Sequence, residues 1–225
     1  MKKIWGEQVL NYDNIAAVFI NYLQGKIRKY PFSEGSLQAE TDLIMQPLIT
    51  MNQNRIFTIN SQPKVNGVPS SDPKFGWGPK HGYVYQKAYY EFFIPKELID
   101  PLVNFLEKFP MITYQAINMS EDERLNVTKD DVNAVTWGVF KGKEVIQPTV
   151  VDHNAFLIWK DEAFGQWLDP WALVYGFDTP SSEFLKRCHD TLYLVNVVDN
   201  DYINGDLDKV FDEFIKEHKA LIESL

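Results

Sequence analysis

The chain is short of cysteine, of long apolar runs and of positive charge, and each shortage closes off a class of function. Its single cysteine, Cys188, permits neither an internal disulfide nor a cysteine-based metal cage. No apolar stretch approaches the roughly 18 residues needed to cross a bilayer. The opening Met-Lys-Lys runs into Ile-Trp-Gly-Glu, which lacks the hydrophobic core of a signal peptide, so a cytoplasmic location is expected. A net charge of −9 and a pI near 4.9 leave no basic footprint for nucleic acid or an anionic membrane. There is no internal repeat, no low-complexity tract and no flexible linker. The four histidines (His81, His153, His189, His218) show no paired spacing, so no metal site is expected.

Apolar residues are plentiful. They make up 45% of the 225 residues and aromatics 14%, enough for one large domain with a substantial core. Ile15, Val18, Phe19, Tyr22 and Leu23 follow the helical period, with Asp13 as the expected cap and Gly25 as the stop. A second helix is expected from Ala39 through Leu43, Ile44, Leu48 and Met51, kinked or shortened by Pro47. A third runs from Lys96 to Phe109, with Pro101 near its first turn. Met111 to Met119 alternates as a strand, and Val135–Phe140 and Val145–Val151 form a hairpin around Lys141-Gly142-Lys143. Asp152 is placed to cap a helix through Trp159, Phe164 and Trp167, and Ser181 or Ser182 starts a short one. Leu192–Val198 is apolar enough to be covered on both faces. Leu207–Leu225 reads as one terminal helix, with Asp212, Glu213 and Glu217 on its wet side. The fold class expected is α+β, with mixed, largely antiparallel sheets surrounded by about five or six helices and no TIM barrel.

The most distinctive stretch is Arg55 to Phe93. A strand at Arg55–Asn60 leads into about twenty residues of turn formers, then into a second, aromatic strand from Tyr83 to Phe93. Loops of that length inside a compact domain are functional or disordered. Phe75, Trp77 and Tyr83 would be costly to leave in water, which favours order. Gly76-Trp-Gly-Pro-Lys-His-Gly82 is not a nucleotide loop, because it leads into a strand and no helix follows to face a phosphate. Cys188 with His189-Asp190 is a weak nucleophile candidate, since neighbours on a helix diverge, and a buried small hydrophobe is the better reading. Asp161-Glu162 and Asp199-Asn-Asp201 are acidic pairs suited to helix faces or caps more than to acid–base work.

The wording of the central stretch is more specific than its composition. Thr58-Ile-Asn-Ser-Gln-Pro63, Pro69-Ser-Ser-Asp-Pro73, Gly76-Trp-Gly-Pro79 and Tyr83-Val-Tyr-Gln-Lys-Ala-Tyr89 resemble the C-terminal regulatory region of eukaryotic-type methylenetetrahydrofolate reductase. Trp5-Gly-Glu7, Ala39-Glu-Thr41, Asn133-Ala-Val-Thr-Trp-Gly138, Ile146-Gln-Pro-Thr-Val-Val-Asp152, Trp159-Lys-Asp-Glu-Ala-Phe164 and Leu194-Val-Asn-Val-Val-Asp-Asn-Asp201 continue the resemblance in order.

The resemblance implies a single regulatory domain over residues 1–225, with the family's flavin-binding barrel and linker absent and no reductase activity in this chain alone. It implies S-adenosylmethionine as an inhibitory allosteric ligand, with S-adenosylhomocysteine competing for the same site. FAD and NAD(P)H belong to the absent catalytic domain. The partners implied are the small-molecule ligand, that barrel and a second copy in a homodimer. The family's ligand contacts carry over to Ser33, Gln38, Ala39, Glu40 and Thr41, to Thr58, Ile59, Asn60, Ser61 and Gln62, and to Thr136 and Thr149. Ser33 stands where the family can have Asn, and Gln38 where it can have Ala. Glu40 would accept from the ammonium or ribose hydroxyls, and a carboxylate near the sulfonium would favour the methylated ligand over the neutral thioether. Two alternatives stand beside this: an enzyme acting on a small molecule, with His153, Asp161 or Glu162 as base, and a ligand-free dimerisation scaffold.

Overall fold

The structure, a computed structural model, describes residues 9–30, 32–74, 79–118, 127–129, 132–152 and 183–225. Helix α1 (Tyr12–Leu23) turns Ile15, Val18, Phe19 and Tyr22 inward, as its period requires. Its cap is Asn11, whose side chain accepts from the Asn14 N–H, and not Asp13, which instead pairs with Arg55. Gly25, at φ 68°, ends it. A small hairpin follows, β1 (Lys29–Tyr30) and β2 (Ser33–Glu34).

The helix expected from Ala39 is two elements. A 3-10 turn (Ala39–Leu43) breaks at Ile44 before α2 (Met45–Gln53) begins. Pro47 accounts for the break. In a continuous helix its ring would collide with the carbonyl four residues back, at Leu43, whereas in the first turn of α2 its missing N–H costs nothing.

Two antiparallel sheets carry the rest, and every strand pair among the described residues is antiparallel. The five-stranded sheet has the order β3-β6-β11-β7-β8, from β3 (Phe57–Gln62), β6 (Tyr89–Pro95), β7 (Ile112–Asn118), β8 (Val127–Lys129) and β11 (Leu192–Asp199). The four-stranded sheet has the order β10-β9-β5-β4, from β4 (Val65–Pro69), β5 (Tyr83–Gln86), β9 (Val132–Phe140) and β10 (Lys143–Asp152). The β9–β10 hairpin turns on Lys141-Gly142, with Lys143 already paired to Phe140.

One face of the larger sheet packs Tyr90, Phe92, Val195 and Tyr114 against Leu48 and Met51 of α2, Leu102 and Phe105 of α3 (Ile99–Leu106), and Phe211 and Phe214 of α5 (Leu207–Glu217). The other packs Phe57, Phe93 and Leu194 against Phe19 and Tyr22 of α1 and Cys188 of α4 (Glu183–Thr191). A fully buried Phe contributes roughly 1.5–3 kcal/mol over an exposed one, so this sandwich is the main source of stability. All eight residues of β11 are buried, as its unbroken apolar run predicts. β7, which the sequence reads as alternating, is buried throughout as well. Burial pushes the Cys188 thiol up to about 12, so it stays a protonated hydrophobe.

Three further expectations need correction. Tyr83–Phe93 is two strands in two sheets, because the chain crosses at Lys87-Ala88. There the Lys87 N–H donates to the Val135 carbonyl at 2.9 Å, while the Gln62 Nε2 donates to the carbonyls of Lys87 (2.9 Å) and Val135 (3.0 Å). The loop between the two expected strands contains β4, an edge strand whose Gly67 has φ 70°. A Cβ at Gly67 would lie 3.1 Å from the Tyr85 hydroxyl, so a side chain there meets backbone strain and a contact that Tyr85 must shift slightly to relieve. Tyr83 is 49% exposed and gives no argument for loop order; Phe75 and Trp77 lie outside the described residues.

The third correction is the terminal helix, which breaks at His218 into α5 and α6 (Lys219–Glu223). The His218 main-chain N–H and its ring Nδ1 both lie 3.0 Å from the Phe214 carbonyl. Similarly, Lys96–Phe109 begins as a 3-10 turn (Lys96–Leu98) before α3, with Pro101 in the first turn of α3. The helix expected through Trp159, Phe164 and Trp167 lies outside the described residues, as do Ser181 and Ser182. Asp199 and Asp201 build a turn: Asp199 Oδ1 accepts from the Asp201 N–H, and Asp201 Oδ1 from the Ile203 and Asn204 N–H groups.

Candidate functional site

The edge strand β3 carries a β-bulge. Thr58 pairs with Phe92 and Asn60 with Glu91, leaving Ile59 as the extra residue. A bulge bends its strand and re-aims the side chains beyond it. Phe57 and Thr58 are accordingly buried, whereas Asn60 is exposed and Ser61 half-buried. The 3-10 turn faces this bend, and Phe19, Tyr22 and Leu23 of α1 close a third side. The enclosed cleft has a volume of about 210 Å³, and its polar lining is Ser33, Ser36, Gln38, Thr41, Thr58, Asn60 and Ser61, with Tyr22 and Tyr30.

The lining is held from behind by polar contacts. Asn52 of α2, fully buried, donates from Nδ2 to the Leu48 carbonyl (2.8 Å) and to Thr58 Oγ1 (2.7 Å), and accepts from the Thr58 N–H at 3.3 Å. The Thr58 hydroxyl thus keeps its own O–H and one lone pair to offer elsewhere. The Tyr22 hydroxyl donates to Ser33 Oγ at 3.0 Å and the Tyr30 hydroxyl to the Ile59 carbonyl at 3.4 Å. The two rings stack with centroids 4.3 Å apart. Burial drives the Tyr30 hydroxyl far above its ordinary pKa, so it is a permanent donor.

A second group lies at the seam between the sheets. The Gln86 Nε2 donates to Glu40 Oε2 at 3.1 Å and to the Pro63 carbonyl at 3.2 Å. Gln86 pairs with Thr136 across β5–β9, and Thr136 with Thr149 across β9–β10. Gln62 bridges the same seam through Lys87 and Val135. Burial raises the pKa of the Glu40 carboxyl, and the Gln86 hydrogen bond opposes that rise.

Of the positions singled out in the sequence, the cleft gathers Ser33, Gln38, Thr41, Thr58, Ile59, Asn60 and Ser61. Glu40, Gln62 and Thr136 stand at the seam and do not line the cleft. Ala39 is exposed on the turn between the two groups. Thr149 is placed by its backbone alone. Of the alternative catalytic candidates, His153, Asp161 and Glu162 lie outside the described residues. Among the described residues no three His, Cys, Asp or Glu side chains come together as a metal site, and no helix is long and apolar enough to cross a membrane.

Sequence reasoning missed Asn52, Tyr22, Tyr30 and Gln86 as parts of the site. A signal was available for Asn52, which stands four residues after the inward-facing Leu48 and therefore shares its face. For Gln86 there was none, because its partner Glu40 is remote in the chain.

Comparison with known proteins identifies the family. A family described as "MTHFR, SAM-binding regulatory domain" matches residues 1–219. "Methylenetetrahydrofolate reductase (NADH) 1" of Zea mays is 47% identical over 212 residues, covering 94% of this chain and 36% of the relative. The protein of the same name from Arabidopsis thaliana is also 47% identical, with the same coverage. "Methylenetetrahydrofolate reductase 1" of Schizosaccharomyces pombe is 42% identical over 94% of this chain and 34% of its own length. The chain therefore spans about a third of the length of the relatives it matches. With nearly every residue inside that match, the chain belongs to the family of SAM-binding regulatory domains of methylenetetrahydrofolate reductase.

Proposed function

We propose that this chain binds S-adenosylmethionine in the cleft between α1, the 3-10 turn and the bulged end of β3, that S-adenosylhomocysteine competes there, and that occupancy inhibits a reductase joined to it. The observation that carries the reading is the convergence of Ser33, Ser36, Gln38, Thr41, Thr58, Asn60 and Ser61 on one cavity whose other described walls are aromatic and aliphatic. Ligand sites have that makeup: apolar walls with a few placed polar groups. Hydroxyls and amides suit ribose and adenine edges, which donate and accept at neighbouring atoms.

Glu40 supplies the discrimination. It is the residue before Thr41, which lines the cleft, and its carboxylate accepts from the Gln86 Nε2 at the seam between the sheets. A half-buried carboxylate attracts a sulfonium cation and gains nothing from a neutral thioether, so the methylated ligand is favoured. The chain thereby reads the ratio of the two compounds and carries out no reaction on either. FAD and NAD(P)H chemistry belongs to the catalytic domain, which reduces 5,10-methylenetetrahydrofolate. Inhibition follows if the ligand binds the inactive arrangement more tightly, with a coupling of about 1–3 kcal/mol. The active assembly is a homodimer.

Calorimetric titration with each compound, followed by product analysis, tests this. The expected result is saturable heat with both, mutual displacement and recovery of the ligand unchanged. At about a hundred times its dissociation constant either ligand adds roughly 2.7 kcal/mol, a melting shift of roughly 5–10 °C for a domain of this size. Absence of both heat and shift contradicts the proposal, and so does turnover of the ligand.

A further inference from the structure

We propose that Asn66 is a covalent modification site, at which attack by the Gly67 main-chain nitrogen expels the side-chain amide and leaves an aspartate or an isoaspartate in β4. The assignment is independent of ligand binding.

The chemistry asks for an asparagine side chain free to turn, a following N–H that is not engaged, and a following residue without a Cβ to block the approach. Asn-Gly occurs twice in the chain, at Asn66-Gly67 and at Asn204-Gly205, and the fold treats the two differently. β4 is an edge strand of the four-stranded sheet, so one of its sides is open. Asn66 is exposed, and its side chain makes no hydrogen bond to another described residue. Asn66 pairs with Tyr85 and Val68 with Val84, which leaves Gly67 as the extra residue of a bulge, with no register partner on β5.

At the second site the same dipeptide is tied down. The Gly205 N–H donates to the Asp201 carbonyl at 2.7 Å, and the Asn204 N–H to Asp201 Oδ1 at 2.9 Å. The Asp199 carboxylate packs directly on Gly205, where a Cβ would collide with it. The nucleophile is engaged there, and the asparagine before it is held by the turn.

The step balances with water as the only co-reactant. The Gly67 nitrogen bonds to Asn66 Cγ, the Cγ–Nδ2 bond breaks, and ammonia leaves with the Gly67 amide proton. Water then opens the cyclic imide. Attack at Cγ restores the ordinary main chain as aspartate. Attack at the main-chain carbonyl carbon routes the chain through Cγ as isoaspartate, longer by a methylene. Either product places a new negative charge on the sheet edge. The second also lengthens β4 against Tyr85, whose hydroxyl lies 3.1 Å from where a Gly67 Cβ would stand.

The test incubates the full chain, folded and in guanidinium chloride, at mildly alkaline pH. Mass spectrometry follows the tryptic peptides Val65–Lys74 and Cys188–Lys209 for conversion of amide to acid at each Asn-Gly. Labelling by an isoaspartyl methyltransferase separates isoaspartate from aspartate. In the unfolded chain both sites are expected to convert at similar rates. In the folded chain Asn66 converts about tenfold or more faster than Asn204, the factor imposed by opening the hydrogen bonds that hold Gly205. Asn66→Gln, a surface change that leaves the fold intact, abolishes conversion and isoaspartate label in the first peptide and leaves the second unchanged. Equal rates at the two sites in the folded chain overturn the assignment. So does an Asn66 that stays intact in the fold while the unfolded chain reacts.

Discussion

Asn52→Ala is expected to destabilise the chain by about 3 kcal/mol, read as a lower urea midpoint with an unchanged slope. The side chain is fully buried and makes three hydrogen bonds, to the Leu48 carbonyl and to both the hydroxyl and the N–H of Thr58. Truncation leaves the Thr58 groups buried without partners, at about 1–3 kcal/mol each, and opens a small void. For a domain of this size the loss lowers the melting temperature by roughly 6–12 °C. A change below 1 kcal/mol would mean that water replaces the amide and that α2 does not brace β3. Because Thr58 is the last residue before the bulge, the same variant loosens the floor of the cleft. Ligand affinity falls further than the stability loss alone accounts for.

Glu40→Gln is expected to weaken S-adenosylmethionine binding about tenfold or more, to weaken S-adenosylhomocysteine less, and to leave the melting temperature at neutral pH no lower. A charge-assisted contact is about twice as strong as a neutral one, which sets the size of the loss. The stability claim follows from the direction of the shift. Burial is the larger influence and raises the Glu40 pKa in the folded state; the Gln86 bond opposes it. A carboxyl whose folded pKa lies above its unfolded one resists ionising in the fold. The resulting cost is absent below the ordinary glutamate range and fully present above the raised one. Glutamine removes that cost at neutral pH and changes nothing in acid. Binding runs the other way, since the sulfonium is drawn to the ionised form. Wild-type affinity for the methylated ligand therefore declines as pH falls through the raised range, and the Gln variant shows no such decline. Titrations at pH 7.5 and 5.5 check both halves. A large drop in melting temperature would instead make Glu40 a structural residue.

Much of the architecture was legible because hydrophobic period is a local signal. Ile15, Val18, Phe19 and Tyr22 announce α1, and the unbroken Leu192–Val198 run announces a central strand; both stand where expected. What failed was non-local or competitive. Tyr83–Phe93 is apolar throughout, and nothing in its residues tells that it changes sheets at Lys87, because the bonds that turn it come from Gln62 and Val135. Asn11 and Asp13 are both good caps, and the choice fell to Asn11 because Arg55, remote in sequence, pairs with Asp13. Similarly, Leu207–Leu225 keeps its period across His218 while its backbone breaks there. Seven of the twelve positions singled out for the site line one cleft, while Glu40, Gln62 and Thr136 meet at the seam. Spacing could not have shown that division, since it depends on how two sheets are set against each other.

The most direct test of the central claim is a crystal structure of this chain with S-adenosylhomocysteine bound. The account predicts the adenosyl group between the 3-10 turn and the bulge of β3, within hydrogen-bonding distance of Thr41 and Ser61. A ligand lodged on another surface, or a cleft filled by its own side chains at saturating ligand, would contradict it.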